Sequence, residues 1–360
     1  MTSLMLPANN GRQQKSREGQ LIITRRHALV ESAALLAAPA LIVKTSTPAR
    51  AEEGQIRIVR QPGMGHLPLT LMMELNLLDK HLKAAGIDKP AVSMRVVSGS
   101  TATSDAVISG NADMTSGALT SLLTLWDKTK GKYQALCAIT TQPMQLDAIN
   151  PVVKSVADFT DNDRIGLPGV KTSYHAIVLQ MQAARLWGID QYARLDHLTV
   201  FISPPDGVIA MLSGNSQISA HFTSAPFMYQ EREGGKARKI LDSYDVLGGP
   251  HVFGTIWGST AYFEKNPVTT KALLAALSEV MDLLKNDPRG MAQAYIKADN
   301  LNFPLDFVEG MLRDPQNIFE LAPRNSMKFA EFQNRIGLIK TKPASWKDYC
   351  APAIHHLQGS

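Results

Sequence analysis

Several short segments of this chain combine hydroxyl side chains, glycines and histidines in a way that suits the binding of a small polar ligand. They are residues 61–66, 98–101, 116–117, 171–173, 203–206 and 221–224. A helix that begins in such a segment offers unpaired backbone N–H groups and the positive end of its dipole, and both attract anions. Glycine lets the backbone approach a ligand closely. The segments therefore indicate a non-covalent site for a small anion.

The residues expected to contact this ligand are Gln61, Gly65, His66, Ser98, Ser100, Thr101, Ser116, Lys171, Thr172, Ser173, His221 and Thr223. The anion is expected between the segments around Ser100 and Ser173, with Lys171 as the positive charge. For Ser100, Thr172 and Ser173 the alternative is a structural role as helix caps. For Lys171 the alternative is a side chain that is solvated and does not face the ligand. His175 is expected either on its helix surface or packed between two parts of the fold.

No pattern in the chain predicts catalysis or a bound cofactor. The nucleophile elbow, the phosphate-binding Walker loop and the zinc-binding helix motif are all missing from the sequence. Two cysteines, Cys137 and Cys350, are too few for a zinc ribbon, a four-cysteine iron–sulfur site or a disulfide scaffold. The apolar run 135–139 predicts that Cys137 is a buried free thiol, with a disulfide as the alternative. Because His355-His356 lacks neighbouring carboxylates, no metal site is predicted.

The charge of the chain is concentrated at its N-terminus. The 360 residues carry 37 bases and 32 acids, a net charge of +5. Residues 1–51 hold 7 of the bases and 2 of the acids, which leaves 30 of each in the remainder. A neutral body gives no electrostatic reason to bind nucleic acid, so this class of partner is excluded.

The first 51 residues have the layout of an export signal. Arg25-Arg26 precede the apolar run 28–43, and Pro48-Ala49-Arg50-Ala51 follows as a small-x-small cleavage site. The paired arginines resemble a twin-arginine signal, while Ala28 and Val30 depart from that motif and keep the Sec route as the alternative. No cysteine near the cleavage site offers a lipid anchor. A free periplasmic protein that begins near residue 52 is predicted.

The elements of the mature chain alternate between strands and helices. Strands are predicted at 55–60, 92–97, 164–167, 198–202, 218–222 and 251–257. Helices are predicted at 67–82, up to 108, at 174–187, up to 212 and at 266–286, with shorter ones from about 288, 304, 326 and 345. Strand, helix and strand in this rhythm predict parallel α/β sheets.

A short internal similarity divides this series into two. The segment Ala-Val-Ile-Ser-Gly-Asn at 106–111 recurs as Ala-Met-Leu-Ser-Gly-Asn at 210–215. Each copy stands between a predicted helix and a predicted strand. We therefore expect two similar α/β lobes. The helical tail has no counterpart in this repeat and is expected to complete the first lobe, with hinge segments near 149–152 and 246–250.

Loosely matching motifs in a fixed order connect residues 55–340 with a known family. They are the segments 61–68, 110–113, 155–159, 164–168, 172–175 and 225–227. In this order they resemble the substrate-binding proteins of nitrate-, sulfonate- and taurine-type ABC importers. The chain departs from that family at Ser219-Ala220-His221, where Asp-Ala is common. Ligand contacts at this point are therefore not carried over.

The resemblance implies an α/β fold of the two-lobed periplasmic-binding-protein type (type II-like). Each lobe is then a mostly parallel sheet flanked by helices, with a ligand cleft between the lobes. The expected division is 1–51 export signal, 52–149 first part of lobe 1, 150–248 lobe 2, and 249–360 completion of lobe 1 with the C-terminal helices.

The function implied by the resemblance is capture of a small organic anion for a membrane permease and its ATPase. A sulfonate such as taurine is the leading ligand, with nitrate, bicarbonate or a thiamine-type pyrimidine as alternatives. The protein is expected to be a monomer without a cofactor, and not an enzyme. Two other classes remain open: an enzyme similar to thiamine-pyrimidine synthases, whose cysteine-rich segment is missing here, and a sensor for a separate membrane partner.

Overall fold

The computed structural model describes residues 55–213, 217–233 and 235–360. The predicted export signal and its cleavage site lie outside these residues. Within them, no helix combines the length and the hydropathy that crossing a membrane requires.

In the described part of the chain, ten strands build two separate five-stranded sheets. In chain order they are β1 (Gln55–Arg60), β2 (Ala91–Val96), β3 (Met114–Gly117), β4 (Tyr133–Thr141), β5 (Met144–Ala148), β6 (Ile165–Leu167), β7 (Thr199–Phe201), β8 (Ala220–Ser224), β9 (Arg238–Asp242) and β10 (Val252–Ser259). We refer to each sheet, with the helices packed on it, as a lobe.

The two sheets repeat one topology. The first has the order β2-β1-β3-β10-β4 and the second the order β7-β6-β8-β5-β9. Around β1 and around β6 the pairing is parallel. A single antiparallel strand interrupts each sheet at the fourth position, β10 in the first and β5 in the second. The first sheet is therefore completed by β10, which follows all five strands of the second sheet in the chain.

Helices cover both sheets. They are α1 (Leu67–Glu74), α2 (Leu77–Ala84), α3 (Ser100–Ile108), α4 (Leu119–Thr129), α5 (Tyr174–Trp187), α6 (Pro204–Ser213), α7 (Phe227–Glu233), α8 (Ser243–Leu247), α9 (Thr260–Lys265), α10 (Pro267–Asn286), α11 (Pro288–Ala298), α12 (Leu305–Arg313) and α13 (Ser326–Arg335). Short 3-10 helices include Met64–His66 and Trp346–Asp348.

The predicted elements are largely confirmed. β1 and α5 match the predicted bounds, and α10 begins at its proline and ends at the predicted residue. Alternation in β1, the Ser173 cap of α5 and the proline at the start of α10 are local signals that the sequence contains directly. The predicted helix over 67–82 is instead two helices. Asn76 adopts a left-handed conformation with φ of 53° and separates α1 from α2. The apolar spacing continues through this break, so periodicity alone did not reveal it.

The C-terminal helices pack mainly on the first lobe. Helix α10 contacts α1 and α2, and α11 contacts α1 and α12. Helix α13 contacts α4 of the first lobe and α5 of the second. The C-terminal segment also pairs with β4, through a parallel bridge between Ala135 and Cys350.

The chain changes sheets at Gln142-Pro143 and again between β9 and β10. The predicted boundary after residue 149 assigns β5 to the first lobe, whereas β5 pairs within the second sheet. The predicted boundary after residue 248 falls between β9 and β10. The limits of the two lobes as independent units stay a prediction.

Both cysteines are buried free thiols, as the apolar run around Cys137 predicts. Burial raises the pKa of the Cys137 and Cys350 thiols above their usual range. Neither thiol is therefore activated as a nucleophile.

A close backbone contact in the first lobe gives the first testable prediction. A Cβ atom at Gly254 would lie well inside van der Waals distance of the Gly65 carbonyl oxygen and of Thr140 Oγ1. Gly254→Ala is therefore expected to lower the free energy of unfolding by about 1–3 kcal/mol, the usual cost of overpacking. Urea denaturation followed by circular dichroism measures this change.

Gly310→Ala is the matched control, because a Cβ atom added at this position in α12 would have no heavy atom within 4 Å. This substitution in a helix should raise the free energy of unfolding by about 0.5–1 kcal/mol. Equal effects of the two substitutions would contradict the proposed contact between β10 and the loop at Gly65.

Candidate functional site

A small cavity lies between the two lobes, where the carboxyl ends of their parallel strands meet. This is the general position of ligand sites in open α/β sheets. Its volume is about 40 Å³, which is room for a few water molecules or one compact chemical group. The lining residues are Gln61, Pro62, His66, Ser100, Gly117, Ala118, Pro168, Ser173, Tyr174, His175, Pro204, Ser224 and Phe253.

Four residues predicted from sequence line this cavity: Gln61, His66, Ser100 and Ser173. Ser100 is the first residue of α3, and its buried hydroxyl has no hydrogen-bond partner within the protein. Ser173 also has the structural role considered for it. Its hydroxyl caps α5 by accepting the N–H of Ala176 at 3.2 Å and donates to the Gly169 carbonyl. The two lobes thus each present the start of a helix to the cavity.

His66 reaches the cavity from the 3-10 helix that follows β1. Its Nδ1 lies 2.7 Å from the hydroxyl of Ser116, another predicted residue, at the end of β3. Burial, reinforced by the charge of Arg60, lowers the pKa of His66 to about 3. The ring is therefore neutral near pH 7 and acts as a hydrogen-bonding group. The neighbouring Gly65 packs against the ring of Phe253.

Other predicted residues lie away from the cavity lining. Ser98, Thr101 and Lys171 are exposed to solvent. Thr172 is half-buried, and its carbonyl oxygen accepts a hydrogen bond from Thr120 Oγ1 at 2.8 Å, which links the loop before α5 to α4 of the first lobe. The expected placement of Lys171 as a cation beside the ligand is therefore not found in this arrangement.

His221 and Thr223 are buried in the second lobe without lining the cavity. His221 Nδ1 bonds to the carboxylate of Glu231, and its ring lies against Gly207 of α6. Beside it, Asp147 forms a salt bridge with Arg232 at 3.0 Å. Burial raises the pKa of Asp147 to about 6, against the opposing effect of the Arg232 hydrogen bond. His221 is thus part of an internal polar network.

His175 lines the cavity although it was not among the predicted contacts. It lies in the first turn of α5, and its ring meets the edges of Phe222 and Phe253 at centroid distances of 5.4 and 6.1 Å. Burial lowers its pKa to about 3, and both ring nitrogens lack a partner within the protein. In the sequence it belonged to the motif segment 172–175 and was expected on its helix surface or packed between two parts of the fold.

Gln142 is a second polar residue that the sequence did not single out. It lies in the turn between β4 and β5, where the chain passes between the sheets. Its side chain is buried, and neither its amide nitrogen nor its amide oxygen has a partner within the protein. A Cβ at Gly65 would lie 3.2 Å from the amide nitrogen. The side chain therefore sits directly behind the loop that carries His66.

The cavity is electrostatically neutral. None of its lining residues is a lysine, arginine, aspartate or glutamate. Two helices of 9 and 14 residues, α3 and α5, begin at Ser100 and Tyr174 beside it. Their N–H groups, together with neutral hydroxyl and imidazole groups, can hold a polar group without a countercharge. Within the described residues, no group of three or more His, Cys, Asp or Glu side chains is arranged to hold a metal ion.

Three solved structures with a similar fold are distant from this chain in sequence. The alkanesulfonate-binding protein SsuA from Xanthomonas axonopodis pv. citri, bound to MOPS, is 17% identical with a TM-score of 0.61, covering 84% of this chain and 100% of that chain. The periplasmic nitrate-binding protein NrtA from Synechocystis PCC 6803 is 15% identical with a TM-score of 0.64, covering 83% and 84%. The periplasmic aliphatic sulphonate-binding protein SsuA from Escherichia coli is 17% identical with a TM-score of 0.59, covering 83% and 92%.

These likenesses confirm the expected two-lobed α/β fold of periplasmic binding proteins. No protein-family model matches the chain. No curated protein matches it either. At identities of 15–17% the likeness establishes the fold, and the function has to be argued from the site.

The buried histidines give a prediction for the pH dependence of stability. Burial lowers the pKa of His66 and His175 to about 3 and that of His251 to about 4, from an ordinary value of 6.5. Below pH 6.5 the unfolded chain takes up protons that the folded protein does not. Stability is therefore fully present above about pH 6.5 and falls toward pH 4, by up to about 1.4 kcal/mol per pH unit for each histidine.

His175→Gln should reduce this slope, as measured by urea denaturation at several values between pH 7 and pH 4.5. His197→Gln is the control, because the His197 side chain is 60% exposed. A slope unchanged by His175→Gln would show that this histidine is not held neutral by burial.

Proposed function

We propose that this chain is the solute-binding component of a bacterial ABC importer. It would hold a small ligand between its lobes in the periplasm and deliver it to a membrane permease and its ATPase. The observation that carries this proposal is the small cavity at the strand ends of both lobes, where Ser100 Oγ and both ring nitrogens of His175 are buried without hydrogen-bond partners among the described residues. A ligand that bonds to both lobes favours the closed arrangement, which a permease can recognise.

The leading ligand class is a small organic anion, with an alkyl- or arylsulfonate such as taurine first. Two helix N-termini and several hydroxyl groups favour an oxyanion, and no carboxylate among the lining residues opposes it. The volume of about 40 Å³ suits the head group alone. A larger ligand therefore requires the lobes to separate slightly. Nitrate or bicarbonate fits the closed cavity without this adjustment.

An uncharged pyrimidine of the thiamine type is the second candidate. The observation in its favour is that no lysine or arginine lines the cavity. The free donors and acceptors of His175, and of Gln142 behind the loop at Gly65, could match the edge of a heterocycle. The anions and the uncharged pyrimidine differ in charge, so comparing the binding of the two kinds of ligand distinguishes between them.

The experiment is a thermal-shift screen of the purified protein against taurine, methanesulfonate, nitrate, bicarbonate and 4-amino-5-hydroxymethyl-2-methylpyrimidine. A ligand present at about 100 times its dissociation constant adds about 2.7 kcal/mol of stability. We expect a saturable shift with a sulfonate, confirmed by titration calorimetry. A shift of the melting temperature with the pyrimidine alone would replace the anion by the second candidate. If none of these compounds gives a saturable shift, both proposed ligand classes are contradicted.

Ser100→Ala tests the site itself. Its hydroxyl has no partner within the protein, so its removal should leave the fold intact and take one hydrogen bond from the ligand. We expect the affinity to fall about tenfold, the effect of losing roughly 1.4 kcal/mol. Titration calorimetry with the ligand found in the screen measures the change.

Thr101→Ala and Lys171→Ala are the controls, since both side chains are exposed outside the cavity lining. Each should change the affinity by less than about twofold, a difference below roughly 0.5 kcal/mol. A larger loss with Lys171→Ala than with Ser100→Ala would restore the lysine as the anion contact and place the ligand outside this cavity.

A further inference from the structure

A second and much larger concavity opens beside the same loop. This groove has a volume of about 800 Å³, within the range of pockets that hold drug-sized molecules. Pro62 lines both the groove and the small cavity. The backbone around Gly63 separates them, because Met64 N–H donates to the Ala225 carbonyl at 3.1 Å and Gly63 packs against Phe227. The groove is therefore a space of its own.

Both lobes contribute apolar walls to the groove. Met94 and Tyr295 come from the first lobe, and Val208 and Phe227 come from the second. At the rim, Val96 is 54% exposed and Ile209 is 67% exposed. Exposed aliphatic side chains that face one another across a concave surface favour an apolar occupant.

A buried ion pair lies at the polar end of the groove. Arg60, at the end of β1, is 2% exposed and forms an ion pair with one carboxylate oxygen of Asp299. Arg60 Nη1 donates to the Gln61 carbonyl at 3.1 Å, but Nε has no partner. The hydroxyl of Thr70, also buried at the groove, has none either. Buried polar atoms without partners are uncommon and call for an explanation.

The charges around the groove cancel in pairs. Arg60 is balanced by Asp299, and the remaining acid of the lining, Glu74, bonds to Lys297 at 2.6 Å. An ionic ligand would gain no net attraction here and would lose its hydration. An uncharged polar group loses less, provided that it meets a donor and an acceptor.

We propose that the groove is a second ligand site, distinct from the interlobe cavity, for an uncharged molecule with an aromatic or aliphatic body and an amide-type polar edge. The amide oxygen accepts from Arg60 Nε, and the amide N–H donates to the second carboxylate oxygen of Asp299. The apolar body lies between Met94 and Tyr295 on one side and Val208 and Phe227 on the other. Since both lobes provide walls, occupancy of the groove favours their closed arrangement.

The test uses 2-naphthamide as the probe, with 2-naphthoate as its charged counterpart, in titration calorimetry against the complete protein. We expect 2-naphthamide to bind with one-to-one stoichiometry and more tightly than 2-naphthoate. Val96→Arg, which puts a long charged side chain at the rim of the groove, should weaken binding at least about tenfold. Ile209→Arg on the opposite rim should have a similar effect.

Ile108→Arg is the matched control, because Ile108 is also an exposed aliphatic residue of the first lobe, 50% exposed, but does not line the groove. It should change the affinity by less than about twofold. Ser100→Ala, altered only at the cavity, should likewise leave probe binding unchanged. Circular dichroism and the melting temperature verify that each variant is folded.

Three results would overturn the proposal. They are the failure of 2-naphthamide to bind saturably, tighter binding of 2-naphthoate, and loss of binding in Ser100→Ala with no loss in Val96→Arg or Ile209→Arg. The last result would assign the probe to the interlobe cavity. None of these results depends on which ligand the cavity holds, so the proposed transport function is tested separately.

Discussion

The hydroxyl of Thr140 fixes the loop on which both binding surfaces depend. It accepts the N–H of Gly254 at 2.9 Å and donates to the carbonyl of Gly65 at 2.9 Å. Strands β4 and β10 of the first sheet are thereby connected to the loop that follows β1. This loop leads from Arg60 at the groove to His66 at the cavity. A shift of the loop would consequently displace the polar groups of both surfaces at once.

The same loop makes one of the contacts between the lobes. Met64 N–H donates to the Ala225 carbonyl, and Gly63 adopts a φ of 117° that only glycine reaches easily. A side chain at this position would also approach the ring of Phe227 at 3.3 Å. This contact between the lobes therefore depends on backbone geometry at residues 63–64. The side chains of Gln61 and His66, on either side of this backbone segment, line the cavity.

Sequence patterns located the elements of this fold better than they located its cavity. The end of β1 and the starts of α3 and α5 follow from local signals, and these supplied Gln61, Ser100 and Ser173. Phe253 lines the cavity from β10, and Gln142 lies behind the His66 loop in the β4–β5 turn; both positions depend on how the two sheets pack. No pattern of residues along the chain predicts how closely this strand and this turn come to the cavity. Long-range packing therefore accounts for what the sequence did not reveal.

The two histidines His175 and His221 illustrate the same limit. Both are buried in the second lobe and both stood in promising segments of the sequence. His221 is hydrogen-bonded to Glu231, while His175 has no polar partner among the described residues and lines the cavity. The difference arises because α7 brings Glu231 beside β8, a tertiary contact. Residue type and local pattern were equally good for both, so only the packed structure distinguishes them.

The neutral cavity also fits the proposed transport function. A binding protein has to release its ligand, so a buried ion pair between protein and ligand would be a disadvantage. An ion pair formed away from water in the closed arrangement would have to be broken each time the ligand leaves. Each hydrogen bond to the ligand from a hydroxyl group, a neutral imidazole or the start of α3 or α5 is weaker than an ion pair. These neutral groups also return to water at a smaller free-energy cost when the lobes separate. Affinity then depends on how many of these groups are in reach at once, and closure of the lobes sets that number.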